Sequence, residues 1–240
     1  MSDPDLAGLR DLAGLRDLAG LAERLAAVRS GIAAAAASAG RDQRDIVTVV
    51  VTKFHPVTLI EQLVALGVHD VGENRHQEAQ AKVEALAGLD LTWHFVGQVQ
   101  GKKAKQVRAY ADVIHSVDRA SLVDALSSES DVIDCFVQVN LTDDPARGGV
   151  DPGLLDPLVE RVLSTSGLRL LGLMAVAPLG EEPRRAFARV RELGERIRLL
   201  APEAKFLSMG MSQDYPEAIS EGATHLRIGT AITGNRPVPG

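Results

Sequence analysis

From residue 46 onward, short β-branched or apolar runs alternate with longer stretches of helical period, and this alternation restricts the chain to a few α/β architectures. The strand-like runs are 46–52, 70–72 with its neighbours, 93–96, 113–117, 135–140, 168–176, 205–208 and 226–228. The helical stretches between them are 57–66, 75–86, 103–110, 119–126, 154–163, 183–200 and a short one from 216. Strand and helix in strict alternation predict a closed parallel (β/α)₈ barrel of TIM type. The rival is an open doubly wound sheet, which usually carries a glycine-rich turn after its first strand. Here that turn reads Lys53-Phe54-His55-Pro56, without glycine.

No composition break or long linker divides the 240 residues, so 21–240 is predicted to be one barrel domain. Residues 1–20 read differently. Leu-Ala-Gly-Leu-Arg-Asp runs over 6–11 and again over 12–17, and a partial copy starts at Leu18. A six-residue period suits neither a heptad nor a solenoid, and Gly8, Gly14 and Gly20 weaken a helix. The expectation is a flexible extension leading into a helix over 21–39, with a partner-binding arm as the competing reading.

The formal net charge of -6 argues against nucleic acid as a general partner. Cys135 is the sole cysteine, so no disulfide can form within the chain, which suits a reducing cytoplasm. Asp3, Asp5 and Asp11 spoil any signal peptide, and the alanine-rich 31–40 is too short to span a bilayer. A cytoplasmic protein that is a monomer or weak dimer is therefore expected.

In barrels of this kind chemistry gathers where strands end and loops begin. Lys53 follows Val47-Thr48-Val49-Val50-Val51-Thr52, a run that reads as a buried strand. A lysine stripped of hydration there can act as an amine nucleophile toward an aldehyde; a snorkelling or ion-paired lysine is the bland alternative. Glycine-rich corners follow the last two strands, Ser208-Met209-Gly210-Met211-Ser212 and Arg227-Ile228-Gly229-Thr230. Barrels often hold phosphate at that place, with backbone N–H groups that glycine lets come close, although a glycine after a strand is often only a turn. A lysine and a phosphate pocket together point to phosphorylated carbonyl compounds, either sugar phosphates or pyridoxal 5′-phosphate (PLP). His94 and His115 read as satisfied core histidines, and no His/Asp/Glu set has metal-ligand spacing. Lys102, Lys103, Lys105 and Arg108 read as a solvated helix face, and Cys135 as packing.

Taken together, Val51-Thr52-Lys53, Gly72-Glu73-Asn74, Gln77-Glu78, Trp93-His94-Phe95-Val96-Gly97, Gln100, Lys103, Gly172-Leu173-Met174 and the two corners resemble the pyridoxal phosphate homeostasis proteins, whose PLP barrel is that of alanine racemase. The resemblance covers about 47–234. It implies a PLP fold type III barrel without the C-terminal β domain of the racemases. Lys53 then matches the Schiff-base lysine, Asn74 an asparagine beside the ring, and Arg227 an arginine facing the pyridine nitrogen. Ser212, Gly229 and Thr230 match the phosphate cup, with Met209 and Gly210 counted in the same cofactor-binding set. An arginine cannot accept the pyridinium proton, so the ring is a poorer electron sink than one paired with a carboxylate.

The racemase β domain and its catalytic tyrosine find no counterpart in the sequence, where Tyr110 and Tyr215 stand in unrelated contexts. The resemblance therefore implies a PLP reservoir or regulator that passes cofactor to apo-enzymes, without catalytic residues of its own. Rival readings are a weak amino-acid racemase, a Schiff-base sugar-phosphate lyase using Glu73 or Asp118 as its acid, and a pure interaction protein. The sequence departs from the family at His55 (a lysine is common), Arg75 (an aromatic is usual), Thr233 (usually phenylalanine) and Arg147-Gly148 (usually Lys-Gly). His55 and Arg75 bear on any secondary cofactor route and leave Lys53 and the corners intact.

Overall fold

A computed structural model describes residues 4–236. Eight parallel strands close into one barrel in sequence order, β1 pairing with both β2 and β8. They are β1 (Val47–Val51), β2 (Asp70–Glu73), β3 (Thr92–Phe95), β4 (Val113–Val117), β5 (Ile133–Gln138), β6 (Leu168–Met174), β7 (Phe206–Ser208) and β8 (His225–Ile228). The helices are α1 (Pro4–Ser38), α2 (Val57–Ala65), α3 (His76–Ala85), α4 (Ala104–Arg108), α5 (Ala120–Ala125), α6 (Leu155–Leu163), α7 (Pro183–Ile197), α8 (Tyr215–Ser220) and α9 (Thr230–Thr233). The predicted barrel is thus the observed one.

Alternate residues along each strand face opposite sides. One set packs outward on the helices: Val50, Phe95, Ile114, Leu173, Leu207, Leu226 and Ile228 belong to the main apolar cluster with the helix faces. The other set points into the barrel, where branched aliphatics usually dominate. Here the interior is aromatic and polar. The rings of His94, His115 and His225 lie 5.1–6.4 Å from one another, with Phe136 against His115 and His225. Gly172 sits where β6 slips register against β5, and a Cβ there would strike the Phe206 carbonyl oxygen.

α1 is continuous from Pro4, well ahead of the expected start near 21. Pro4 tolerates the first turn because its missing N–H would be unpaired there anyway, and the leucines, alanines and arginines between the glycines are good helix formers. Leu21, Leu25, Val28, Ile32 and Ala36 recur at steps of three and four and are buried. This stripe docks α1 on α8 and α9. Gly31 is required at the crossing, because a Cβ there would lie 2.1 Å from the Tyr215 hydroxyl. Arg24 Nε donates to the Ile232 carbonyl at 2.7 Å, and Arg41 donates to the carbonyls of Ile219 and Ala223. Among the described residues, no helix is long and apolar enough to cross a membrane.

Candidate functional site

A cavity of about 520 Å³ opens at the C-terminal end of the barrel, within the size range of small-molecule sites. Lys53, Asn74, Ser212, Arg227, Gly229 and Thr230 all line it. The barrel thus brings together residues from its first, second, seventh and eighth strand ends. Gln98, Gln138, Met174, Gln213 and Asp214 line it as well. The inward aim of Gln138 and Gln213 gave no sequence signal, since nothing in the sequence marks which glutamine faces the cavity.

Lys53 lies two residues beyond β1 and is half-buried, where the sequence alone made it the buried close of the strand. Its flanking backbone is held by an ion cluster outside the cavity. Lys82 Nζ on α3 donates to the Thr52 carbonyl (2.9 Å), to Glu73 Oε1 (2.7 Å) and to Glu78 Oε1 (2.8 Å). The Phe54 N–H donates to the same Glu78 oxygen at 2.5 Å, and Thr52 Oγ1 donates to Glu73 Oε1 at 2.6 Å. The peptide groups on either side of Lys53 are therefore pinned by one lysine–glutamate pair. Phe54 is held at φ +69°, the sole non-glycine with positive φ among the described residues. Local strain of this kind persists only where surroundings over-determine it, and it concentrates at functional sites. Burial pushes the Glu73 carboxyl up, against the lowering effect of its bonds to Lys82 and Thr52.

Glu73 faces α3 and Asp118 pairs with Arg119 at 2.5 Å. Neither candidate acid of the lyase reading lines the cavity. Tyr110 stacks on His76 and Tyr215 packs on α1, so both tyrosines stand away from it as well. His55 lies among Pro56, Glu78 and Lys82, beside the cavity rather than in it. The Arg75 guanidinium lies 5.6 Å from the Phe54 ring centre and that of Arg236 3.9 Å from it. Arg108 is a structural clamp rather than a solvated face, donating to the carbonyls of Leu126, Gly167 and Asp131. Cys135 is fully buried and burial pushes its thiol up to about 12, as suits a packing role.

Two residues of the expected cofactor set stand back from the cavity. Met209 is fully buried in the main apolar cluster. Gly210 has φ +93°, and a Cβ there would sit 2.6 Å from Ala218 Cβ. Its glycine is needed for the close approach of α8. Gly229, expected in the same set, does line the cavity: a Cβ there meets nothing nearer than 3.7 Å, so the cavity reaches its backbone. Among the described residues, the N–H groups of Ser212, Gln213, Gly229 and Thr230 donate to no protein acceptor. With the Ser212 and Thr230 hydroxyls they make a donor-rich corner suited to a dianion.

Asn74 packs on Gly97, where a Cβ would fall 2.1 Å from the Asn74 carbonyl oxygen and 2.2 Å from Oδ1. Gly97→Ala is therefore expected to displace Asn74 and to destabilise the fold by about 1–3 kcal/mol in urea denaturation. Gly88→Ala, with open space around it, is the control and should stay within about 0.5 kcal/mol of wild type.

Arg227 enters the floor of the cavity fully formed as a donor. NH1 donates to Ser208 Oγ at 2.8 Å and NH2 to the Ala175 carbonyl at 2.9 Å. Burial pushes it down to about 10, with Asp214 opposing. A guanidinium at that value is still charged near neutral pH, and its remaining N–H groups are free to meet an acceptor in the cavity.

The fold and this site define a closed parallel barrel with an amine, a donor-rich corner and a buried guanidinium in one cavity at its mouth. The chain matches the alanine racemase N-terminal domain family over residues 24–237. The pyridoxal phosphate homeostasis protein of Mycobacterium tuberculosis is 40% identical over 235 residues, covering 88% of this chain and 91% of that protein. PipY of Synechococcus elongatus, solved with PLP bound, superposes with a TM-score of 0.79 at 35% identity, over 89% of this chain and 100% of that one. Alanine racemase from Corynebacterium glutamicum shares the fold, with a TM-score of 0.70 at 14% identity over 90% of this chain and 60% of its own. The chain belongs to the alanine racemase N-terminal domain family and, within it, to the pyridoxal phosphate homeostasis proteins.

Proposed function

We propose that this protein binds PLP, carries it covalently on Lys53, and serves intracellular PLP homeostasis by holding the cofactor and yielding it to apo-enzymes, without substrate turnover. The single observation that carries this reading is the union in one cavity of an amine, a donor-rich corner and a buried guanidinium. A relative named for PLP homeostasis and a neighbour holding PLP support it.

The residues fit the group. The cavity is large enough, the Lys53 amine is free of protein hydrogen bonds among the described residues, and the corner offers hydroxyl and N–H donors. Asp214, the acid nearest the corner, is turned to accept the Met211 N–H at 2.6 Å. Bound PLP supplies an aldehyde for a lysine and a conjugated ring that can act as an electron sink. Lys53 would anchor the aldehyde end, Ser212, Gly229 and Thr230 the phosphate, and Arg227 the ring nitrogen. A guanidinium there donates without accepting, so it keeps that nitrogen unprotonated and weakens the sink. Holding is favoured over carbanion chemistry, in keeping with the absence of a tyrosine in the cavity lining.

Purified protein mixed with PLP should gain visible absorbance that borohydride abolishes, with the pyridoxyl group on the Lys53 peptide by mass spectrometry. Transfer to a PLP-requiring apo-enzyme, read as recovered activity of that enzyme, should follow. Protein that stays colourless in excess PLP, or a label on another side chain, would overturn the reading.

A further inference from the structure

Behind Arg227 a file of side chains runs through the barrel to its opposite mouth. Arg227 NH1 meets Ser208 Oγ at 2.8 Å, Ser208 Oγ meets His115 Nδ1 at 2.8 Å, His115 Nε2 meets His94 Nδ1 at 2.9 Å, and His94 Nε2 meets Asp70 Oδ1 at 3.0 Å. Ser208 and His115 are fully buried and His94 nearly so, while the Asp70 side chain is 35% exposed at the far end. The file joins strands β8, β7, β4, β3 and β2, and none of its inner members touches the cavity.

The ends of the file dictate its interior. A guanidinium can only donate and a carboxylate can only accept. With both imidazoles neutral, one arrangement of protons fills every link. His94 Nε2–H donates to Asp70, His115 Nε2–H donates to His94 Nδ1, the Ser208 hydroxyl donates to His115 Nδ1, and Ser208 Oγ keeps its lone pairs for Arg227. Each bond then points away from the cavity. A proton on His94 Nδ1 would reverse the order: His115 would turn its Nδ1–H on Ser208 Oγ, which would then share its lone pairs between His115 and Arg227 and leave its own hydroxyl proton without a partner in the file.

Several strands send groups against His115. They are His94 from β3, Ser208 from β7, and His225 and Arg227 from β8, with Phe136 from β5. Burial above all, with His94, Arg227 and His225 close by, holds His115 well below the ordinary imidazole range. Burial likewise pushes His225 down to about 4, where His94 and Arg227 lower it and Asp70 and Asp134 raise it.

We propose that Asp70, His94 and His115 are positioning residues for Arg227, acting through Ser208: they fix the proton order that reserves the serine lone pairs for the guanidinium and so aim it at the cofactor ring. The inference rests on the PLP reading above for its consequence, but the proton order is a property of the polypeptide alone.

The first test is made on full-length ¹⁵N-labelled protein without PLP. Long-range ¹H–¹⁵N spectra should find His115 neutral, with its proton on Nε2, near neutral pH. A His115 protonated on Nδ1 would overturn the proposal whether or not the protein binds PLP. The second test uses PLP-loaded protein and follows release into a scavenging apo-enzyme. Ser208→Ala should speed release about tenfold, as expected for loss of one hydrogen bond to a charged group. His115→Phe should speed it severalfold. The double variant should match Ser208→Ala alone, because the histidine acts through the serine. Multiplying effects in the double variant, or unchanged release in both singles, would sink the inference. Should either variant fold poorly, Asp70→Leu, changed at the exposed end, is the substitute; it removes the last acceptor and should shift the pH midpoint of the PLP absorbance without lowering occupancy. An unmoved midpoint would count against the file. Wild type that never takes up PLP would instead remove the functional reading and leave the spectra of the histidines standing.

Discussion

Lys82→Met is expected to cost about 3–5 kcal/mol of folding stability, the usual consequence of removing one partner from a buried ion pair. Lys82 and Glu73 are 7% and 2% exposed, so solvent cannot replace the lost charge. Three acceptors lose their shared donor at once: the Thr52 carbonyl, Glu73 and Glu78. Glu73 Oε2 already has no partner, which leaves that carboxylate only the Thr52 hydroxyl. The deficit should depend on pH with a definite sign. Glu73 is held above its ordinary value by burial, and without Lys82 it rises further. A carboxyl whose folded value exceeds its unfolded one binds its proton more tightly when folded. Stability is then greatest below the unfolded value and falls as pH rises through the folded one. Urea denaturation should therefore find Lys82→Met closer to wild type at about pH 5 than at about pH 8. Adding Glu73→Gln should recover part of the loss. A variant with wild-type stability at both values would refute the role given to the cluster.

The second large effect is on binding. Lys53→Ala should abolish borohydride-fixed label and leave no visible band after gel filtration. Its stability should stay within about 0.5–1 kcal/mol of wild type, since its amine bonds to no protein acceptor among the described residues. Mass spectrometry, visible spectra and urea titration of one sample decide it. Persistent label on the variant would move the covalent anchor elsewhere and empty the proposal of its central residue.

Much of the barrel was legible because parallel strands buried on both faces write themselves as continuous apolar runs. The third run, 93–96, became β3 at Thr92–Phe95, and the fourth, 113–117, became β4 at Val113–Val117. The strand-end rule then located Lys53, Asn74, Ser212, Arg227, Gly229 and Thr230. What stayed hidden depends on direction rather than identity. Gly210 and Gly229 look alike in sequence, yet one accommodates α8 and the other opens on the cavity. Glu78 and Lys82 carry the spacing of a routine surface pair on a helix, and only the turn before α3 buries them beneath Lys53. His94 and His115 were read correctly as satisfied, but that they satisfy each other in a line ending at Arg227 required the closed sheet. The helix begins at Pro4 rather than near 21, an extent that position-by-position glycine propensity does not show.

The pairing of β1 with β8 has a consequence for biogenesis. Val49 lies against Arg227 and Val50 against Ile228, so the two halves of the cofactor grip come from opposite ends of the polypeptide. A nascent chain holding Lys53 has neither the corner nor the guanidinium until β8 docks, and such distant pairings form late. During synthesis the exposed amine is an ordinary lysine; the aldehyde capture proposed for it would begin only when the ring of strands shuts.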